Sequence, residues 1–207
     1  MILSILICSI EERAEKLSIL KELLISQSMM LRENADCDLS HRDVEILTEV
    51  DNKQISIGAK RQKLLEKAKG DWIVFFDDDD IPSYNYIKVI LSAIKNNTTI
   101  DCIGIRGIMT TNGIHSKSWC HRLGYKIEGD GHTPHASGYD YVRPIIHFNP
   151  VRRELALKAG FKDLRYGEDM DYAERLNPLL TKEYFIDEIL FHYRYSTDQS
   201  HKKKYGI

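Results

Sequence analysis

The stretch Trp72-Ile73-Val74-Phe75-Phe76 runs directly into Asp77-Asp78-Asp79-Asp80. Few folds accept that junction. Five consecutive large apolar residues predict a strand covered on both faces, as in sheets with helices packed on either side. Four adjacent carboxylates repel one another, so water, cations or a ligand must offset their charge. The carboxyl end of a strand in an α/β sheet is such a place, because ligands bind in the crevice there. In an extended chain Asp77 and Asp79 share one face. Two hard oxygen donors suit Mg²⁺ or Mn²⁺, above all beside a phosphate. The plainer alternative is a solvated acidic loop capping the next helix, which suits Asp80 best.

The flanking sequence repeats the pattern. Ile2 to Cys8 is a second apolar run, and Ser9 with Glu12 forms a capping-box signature before a helix. Leu17, Leu20, Leu23 and Leu24 supply that helix with an apolar stripe reaching about Met30. Val44 to Val50 predicts a strand ending at Asp51-Asn52. Gly58 to Lys69 predicts a helix stopped by Gly70. Pro82-Ser83 predicts the start of another, with Tyr86, Ile87, Ile90, Leu91 and Ile94 at helical spacing. Alternating strands and helices predict an α/β architecture. Beyond residue 100 the rhythm changes. Strands are expected at Ile100 to Met109 and Val142 to Phe148, around a Gly- and His-rich stretch suited to hairpins. A short helix after Asn149-Pro150, a helix opening at Gly167-Glu168-Asp169, a strand from Tyr184 to Tyr193 and the basic run Lys202-Lys203-Lys204 complete the chain.

Composition narrows the class. At roughly 100–200 residues per domain, 207 residues make one domain. A hydrophobic content of 43% and a formal net charge of −2 exclude a disordered chain and a generally basic surface that coats nucleic acid. Cys8, Cys37, Cys102 and Cys120 form no C-x-x-C pair, so reduced thiols in a cytoplasm are expected rather than a zinc site. Met1 to Ile10 has no basic n-region and runs into Glu11-Glu12-Arg13, which favours a buried strand over a signal peptide. No run approaches the ~18 apolar residues of a membrane span. A cytoplasmic protein is expected, with the lysine run available for peripheral contact with the inner membrane surface.

The block Gly58-Ala59-Lys60-Arg61-Gln62 through Gly70-Asp71-Trp72-Ile73 to Asp77-Asp78-Asp79-Asp80 resembles the central motifs of family 2 glycosyltransferases with the GT-A fold. There an Ala-Arg-Asn helix, a Gly-acidic-aromatic-Ile strand and an Asp-x-Asp-Asp end follow at this spacing. Arg61 falls on the family's arginine, while Gln62 replaces its Asn and Lys60 its Ala. Cys8-Ser9-Ile10 looks like the nucleotide-contacting strand end, without the frequent Pro-Thr-Tyr-Asn. Asp51 sits where the family recognises uracil, and Gly167-Glu168-Asp169 with Arg175 looks like the acceptor-side "ED" motif. The motifs are individually short; their order, through residues 1–195, carries the resemblance.

The resemblance implies a single GT-A domain over 1–207, with a nucleotide-sugar half at 1–100 and an acceptor half at 101–207. It is a Rossmann-like mixed sheet flanked by helices. It implies a metal-dependent, inverting transferase using a nucleoside-diphosphate sugar, a UDP-sugar above others. Ser9, Glu11, Asp51, Arg61, Asp77 and Asp78 would contact the donor. Asp79 and Asp77, with His192, would hold Mn²⁺ or Mg²⁺, which neutralises the departing diphosphate. Lys60 and Arg61 could equally be ordinary charges on a lysine-rich helix. Asp169 is the first choice for the base that deprotonates the acceptor hydroxyl and Glu168 the second. Helix N-terminal chemistry alone also accounts for Glu168, Asp169 and Asp171, the last pairing with Arg175 at i,i+4. His192 could instead be a packed strand histidine, and His132, His135 and His147 are expected to be structural. Trp119, Tyr139 and Tyr141 could stack on a sugar or simply pack.

Other classes share fragments of this pattern. A haloacid-dehalogenase-like phosphatase also carries Asp-x-Asp after an apolar strand, but on its first strand, whereas two strand–helix units precede Asp77. A sugar-nucleotide pyrophosphorylase needs a Gly-rich N-terminal loop, which Ser9-Ile10-Glu11-Glu12-Arg13 lacks. A non-catalytic nucleotide-sugar-binding module would have little reason to keep both acidic motifs. For the acceptor, a glycan, a lipid-linked sugar, a protein or a modified nucleobase all fit the variable segment 110–145.

Overall fold

The first strand is buried on both faces, with side chains alternating between them. In the computed structural model, which describes residues 1–31, 39–128 and 135–197, β1 (Leu3–Ile10) sends Leu3, Ile5 and Ile7 to one face. Leu6 and Cys8 go to the other. The first face packs on α1 (Ala14–Met30), through Leu17, Leu20 and Leu24. Strand β2 (Val44–Asp51) pairs with β1 in parallel, and α2 (Ile57–Lys67) crosses to β3 (Trp72–Asp77) on the opposite edge of β1. Leu64 and Leu65 of α2 cover the second face with Ile73 and Phe75. A two-residue β4 (Ile81–Pro82) precedes α3 (Tyr86–Asn96), whose Tyr86, Ile87, Ile90, Leu91 and Ile94 are buried.

The second half extends the same sheet. β5 (Cys102–Thr111) and β6 (Ile114–His121) form a hairpin, followed by β7 (Tyr141–Arg143) and β8 (Val151–Arg152). Helices α4 (Arg153–Ala159) and α5 (Glu168–Leu176) join the second face, and β9 (Glu183–Tyr195) closes the chain. The order is β2-β1-β3-β8-β5-β6-β7, with β9 pairing β5 in parallel and β4 antiparallel. This is the expected single mixed sheet flanked by helices. No helix among the described residues is long and apolar enough to cross a membrane.

Four local expectations are corrected. The Ser9–Glu12 capping box does not form: β1 continues to Ile10, and a 3₁₀ turn at Glu11–Arg13 leads into α1 without a side-chain cap. The Ser9 hydroxyl goes to Asp78 instead, at 2.6 Å. The helix expected from Pro82 starts at Tyr86, because Pro82 pairs with Phe191 of β9. Gln27 of α1 then accepts from the N–H of Ile87, one of the donors a helix N-terminus leaves free. The strand expected over Val142 to Phe148 ends at Arg143. Pro144 has no N–H to pair, and the Asn149 side chain takes the N–H of Ile146 at 3.1 Å. Leu23 lies 37% exposed, outside the buried stripe of α1.

Gly58 explains how α2 fixes the chain before α5. A Cβ there would lie 2.0 Å from the carbonyl oxygen of Lys162, and the Gly58 N–H donates to the Leu164 carbonyl at 3.1 Å. Gly58→Ala is therefore expected to push residues 162–164 away from α2. Such overpacking costs about 1–3 kcal/mol. A thermal melt checks it, an unchanged midpoint being the contrary result.

Candidate active site

The acidic run forms a closed, partnered turn. The N–H of Asp80 donates to the Asp77 carbonyl at 3.1 Å, and the N–H of Asp77 donates to Asp80 Oδ2 at 2.9 Å. Asp78, 2% exposed, accepts from Ser9 and lies 2.9 Å from an Arg13 nitrogen. Asp79 is held by Arg13 and by Lys16, the latter at 3.2 Å. Asp77 accepts from Arg61 at 2.9 Å. Three cations thus offset the mutual repulsion of the run, so the solvated-loop alternative does not describe it. Burial still pushes the carboxyls of Asp77, Asp78 and Asp80 upward, Asp80 well above the usual carboxylate range.

Arg61 links this turn to the second acidic motif. It is 3% exposed, lies 5.8 and 5.9 Å from the ring centroids of Phe75 and Phe161, and spans Asp77 at 2.9 Å and Glu168 at 3.6 Å. Its Nη1 is buried without a hydrogen-bond partner. Lys60 is also buried, donating to the Ser9 carbonyl at 2.7 Å and pairing with Asp51. Neither is an ordinary surface charge. Gln62, where the family pattern has Asn, accepts from the N–H of Phe161 at 2.8 Å and so steadies the chain approaching Gly167.

Glu168 and Asp169 open α5 but differ in environment. Glu168 is 6% exposed and faces Arg61, and burial raises its carboxyl. Asp169 is half-buried, accepts only from the N–H of Met170, at 2.9 Å, and forms no ion pair among the described residues. Asp171 pairs with Arg175 and Lys162, away from the others.

Ser9, Arg61, Asp77, Asp78, Glu168 and Asp169 line one cavity of about 790 Å³. Four expected site residues do not line it. Glu11 is exposed in the 3₁₀ turn, while its neighbour Ile10 faces the cavity. Asp51 is engaged by Lys60 and by the N–H of Ile55. Asp79 is paired with Arg13 and Lys16, and of these three only Arg13 lines the cavity. His192 bonds Thr110 at 2.9 Å, whereas the next residue, Tyr193, lines the cavity and feels the charges of Asp77, Asp79 and Asp80. Adjacent strand residues point to opposite faces, so β9 offers the acidic turn a phenol and turns the imidazole away. Among the described residues no three His, Cys, Asp or Glu side chains converge on a cation position. A divalent ion here would need ligands from outside the protein as well. Asp77, with one oxygen on Arg61 and its side chain 34% exposed, can supply a ligand. Asp79 would first have to release Arg13 and Lys16, with phosphate and water oxygens completing the coordination.

The sequence matches the family model for Glycosyl transferase family 2 over residues 32–156. The chain belongs to glycosyltransferase family 2. The match includes Asp51, Arg61 and the acidic turn and stops before Glu168 and Asp169. No curated protein matches this sequence. Among solved structures, S. aureus TarS 1-349 in complex with UDP is similar, with a TM-score of 0.66 and 14% identity. The similarity covers 94% of this chain and 60% of that one. TarS 1-349 in complex with UDP-GlcNAc gives 0.60 and 12%, over 94% and 58%. Similarity this distant establishes the fold, and the present chain spans about 60% of the length of the first of these.

Within this family 2 domain, several cavity residues were not singled out from sequence. Arg13 follows the first strand, Lys53 and Arg165 approach from the β2 and α5 sides, and Tyr193 comes from β9. Trp119, Tyr141 and His147 line the same cavity, while Tyr139 does not. His132 and the Lys202–Lys204 run lie outside the described residues.

Proposed function

We propose that this chain transfers a sugar from a UDP-sugar to an acceptor hydroxyl with inversion, assisted by Mn²⁺ or Mg²⁺. One observation carries the reading. A cation-compensated acidic turn and an uncommitted carboxylate, Asp169, line one cavity and are joined through Arg61 and Glu168. That arrangement separates two tasks glycosyl transfer requires. The UDP and UDP-GlcNAc complexes of the similar TarS structures support the donor.

The diphosphate belongs beside Asp77, where Arg61 Nη1 offers a buried donor without a protein acceptor. A cation at Asp77 and Asp79 would add Lewis-acid neutralisation of the leaving group. Asp169 takes the proton of the acceptor hydroxyl as its oxygen attacks the anomeric carbon. Glu168, committed to Arg61, holds the arginine in place. One base and one leaving-group site describe a single displacement, hence inversion.

The test is a thermal-shift and donor-hydrolysis screen with Mn²⁺ against UDP- and GDP-sugars. Metal-dependent UDP-sugar binding is expected, and Asp79→Ala is expected to lose that dependence. Failure of every nucleotide sugar, with hydrolysis of a phosphomonoester through Asp77, would replace the reading with the phosphatase one.

A further inference from the structure

The cavity continues past the acidic turn to the far strands of the sheet, and that end has unusual electrostatics. Arg143 of β7 lines it. Its Nη1 donates to the backbone carbonyls of Glu128 and Val142, at 3.0 and 2.7 Å, and its guanidinium stands 5.7 Å from the Tyr141 ring centroid. Among the described residues it has no carboxylate partner. Among the described acids, Glu128 lies 3.3 Å from His135, and Asp140 is held by Ser118 and Lys117. Desolvation lowers the pKa of the half-buried guanidinium.

Two further residues that line the cavity carry unmet polar groups. His147 is 3% exposed and lines the cavity, and neither ring nitrogen has a hydrogen-bond partner. Its backbone carbonyl accepts from the N–H of Phe75, at 3.0 Å, which sets it beside β3 and the reaction centre. Burial and the charge of Arg61 keep the ring neutral, so it presents one donor and one acceptor. Trp119 is 5% exposed, lines the same cavity, and its indole N–H is likewise without an acceptor. It lies against Gly107, where a Cβ would come 2.4 Å from the indole ring. Buried polar atoms in folded proteins are almost always bonded to protein or water. Three such atoms on two residues that line one cavity mark a place that a hydroxyl-bearing ligand completes.

We propose that this end of the cavity is the acceptor subsite, and that it takes a carbohydrate unit bearing a carboxylate or a phosphate. Arg143 reads the anion, and His147 and Trp119 read the hydroxyls. A hydroxyl both donates and accepts, which is what a neutral imidazole needs. An anion supplies a counter-charge that no described residue gives Arg143. The donor diphosphate is assigned elsewhere: it belongs at Asp77 on β3, while Arg143 lies on β7, the last strand in the sheet order. The assignment rests on the transferase reading for its meaning as an acceptor site, and the experiment separates the two.

The protein, saturated with UDP and Mn²⁺, is titrated by calorimetry or ligand-observed NMR with three matched disaccharides: neutral, carboxylated and phosphorylated. Charge-assisted hydrogen bonds predict that an anionic probe binds at least about tenfold tighter than the neutral one. That advantage disappears in Arg143→Gln and partly survives in Arg143→Lys, with UDP affinity unchanged in both. His147→Leu weakens neutral and anionic probes alike. The two anionic arms show whether carboxylate or phosphate is preferred. Equal binding of neutral and anionic probes, an anionic preference that persists in Arg143→Gln, loss of that preference when UDP saturates, or no binding of any probe overturns the proposal. Absence of UDP binding in the same titration removes the donor reading instead, leaving the anion preference to be judged on the UDP-free protein.

Discussion

Asp169→Asn is expected to remove most transfer while donor binding persists. A positioned base contributes about 10²–10⁴-fold, and the amide retains the side-chain oxygen that accepts from the Met170 N–H but cannot take a proton. The predicted signature is a fall of that order in kcat, with UDP affinity and the thermal midpoint near the parent values. Glu168→Gln should behave differently, because its carboxylate is buried against Arg61. It should weaken donor binding and lower the midpoint. Single-turnover rates together with UDP titration distinguish the pair. Equal loss of UDP affinity in Asp169→Asn and Asp79→Ala would contradict the division of labour between the two acidic motifs.

The second large effect belongs to Arg61. Arg61→Met keeps length and apolar contact with Phe75 and Phe161 but strands two carboxylates, Asp77 and Glu168. Breaking a buried pair from one side costs about 3–5 kcal/mol. The lower end applies here because the Asp77 side chain is one-third open to solvent. For a chain of this size that lowers the melting temperature by about 6–12 °C. The sign of the pH dependence follows from the carboxyls. Both are already raised in the folded protein, and loss of the arginine raises them further. Raised carboxyls stabilise the fold below their unfolded values, and that contribution is lost as pH rises through the folded values. The variant's deficit should therefore be small in acid and full at neutral pH. Melts at both values measure it, and a deficit independent of pH would disconnect Arg61 from these acids. Adding Asp77→Asn and Glu168→Gln should restore stability without restoring transfer.

The first half of the chain was legible in the sequence because its signals are local. Apolar runs gave β1 and β3, helical spacing gave the buried face of α3, and the acidic run marked the strand end. Burial of Lys60 and Arg61 was not legible, since a lysine-rich helix reads the same whether or not a carboxylate waits across 16 residues. Ser9 looked like a helix cap because its true partner, Asp78, is 69 residues away. In the second half, Pro144 and Asn149 ended a strand that hydrophobicity alone extended. Tyr193, rather than His192, faces the acidic turn because strand phase decides it, and phase is set by pairing with β5, which only the folded sheet shows.

That pairing also shapes how the molecule is made. One edge of β5 is covered by β9 from Cys102 to Thr111, by residues some 80 positions later in the chain. During synthesis β5 therefore emerges with an open, apolar flank well before its partner exists. An unpaired strand edge is a template for pairing with another chain. Until Glu183–Tyr195 has been made, that edge of β5 is open to pairing with another chain.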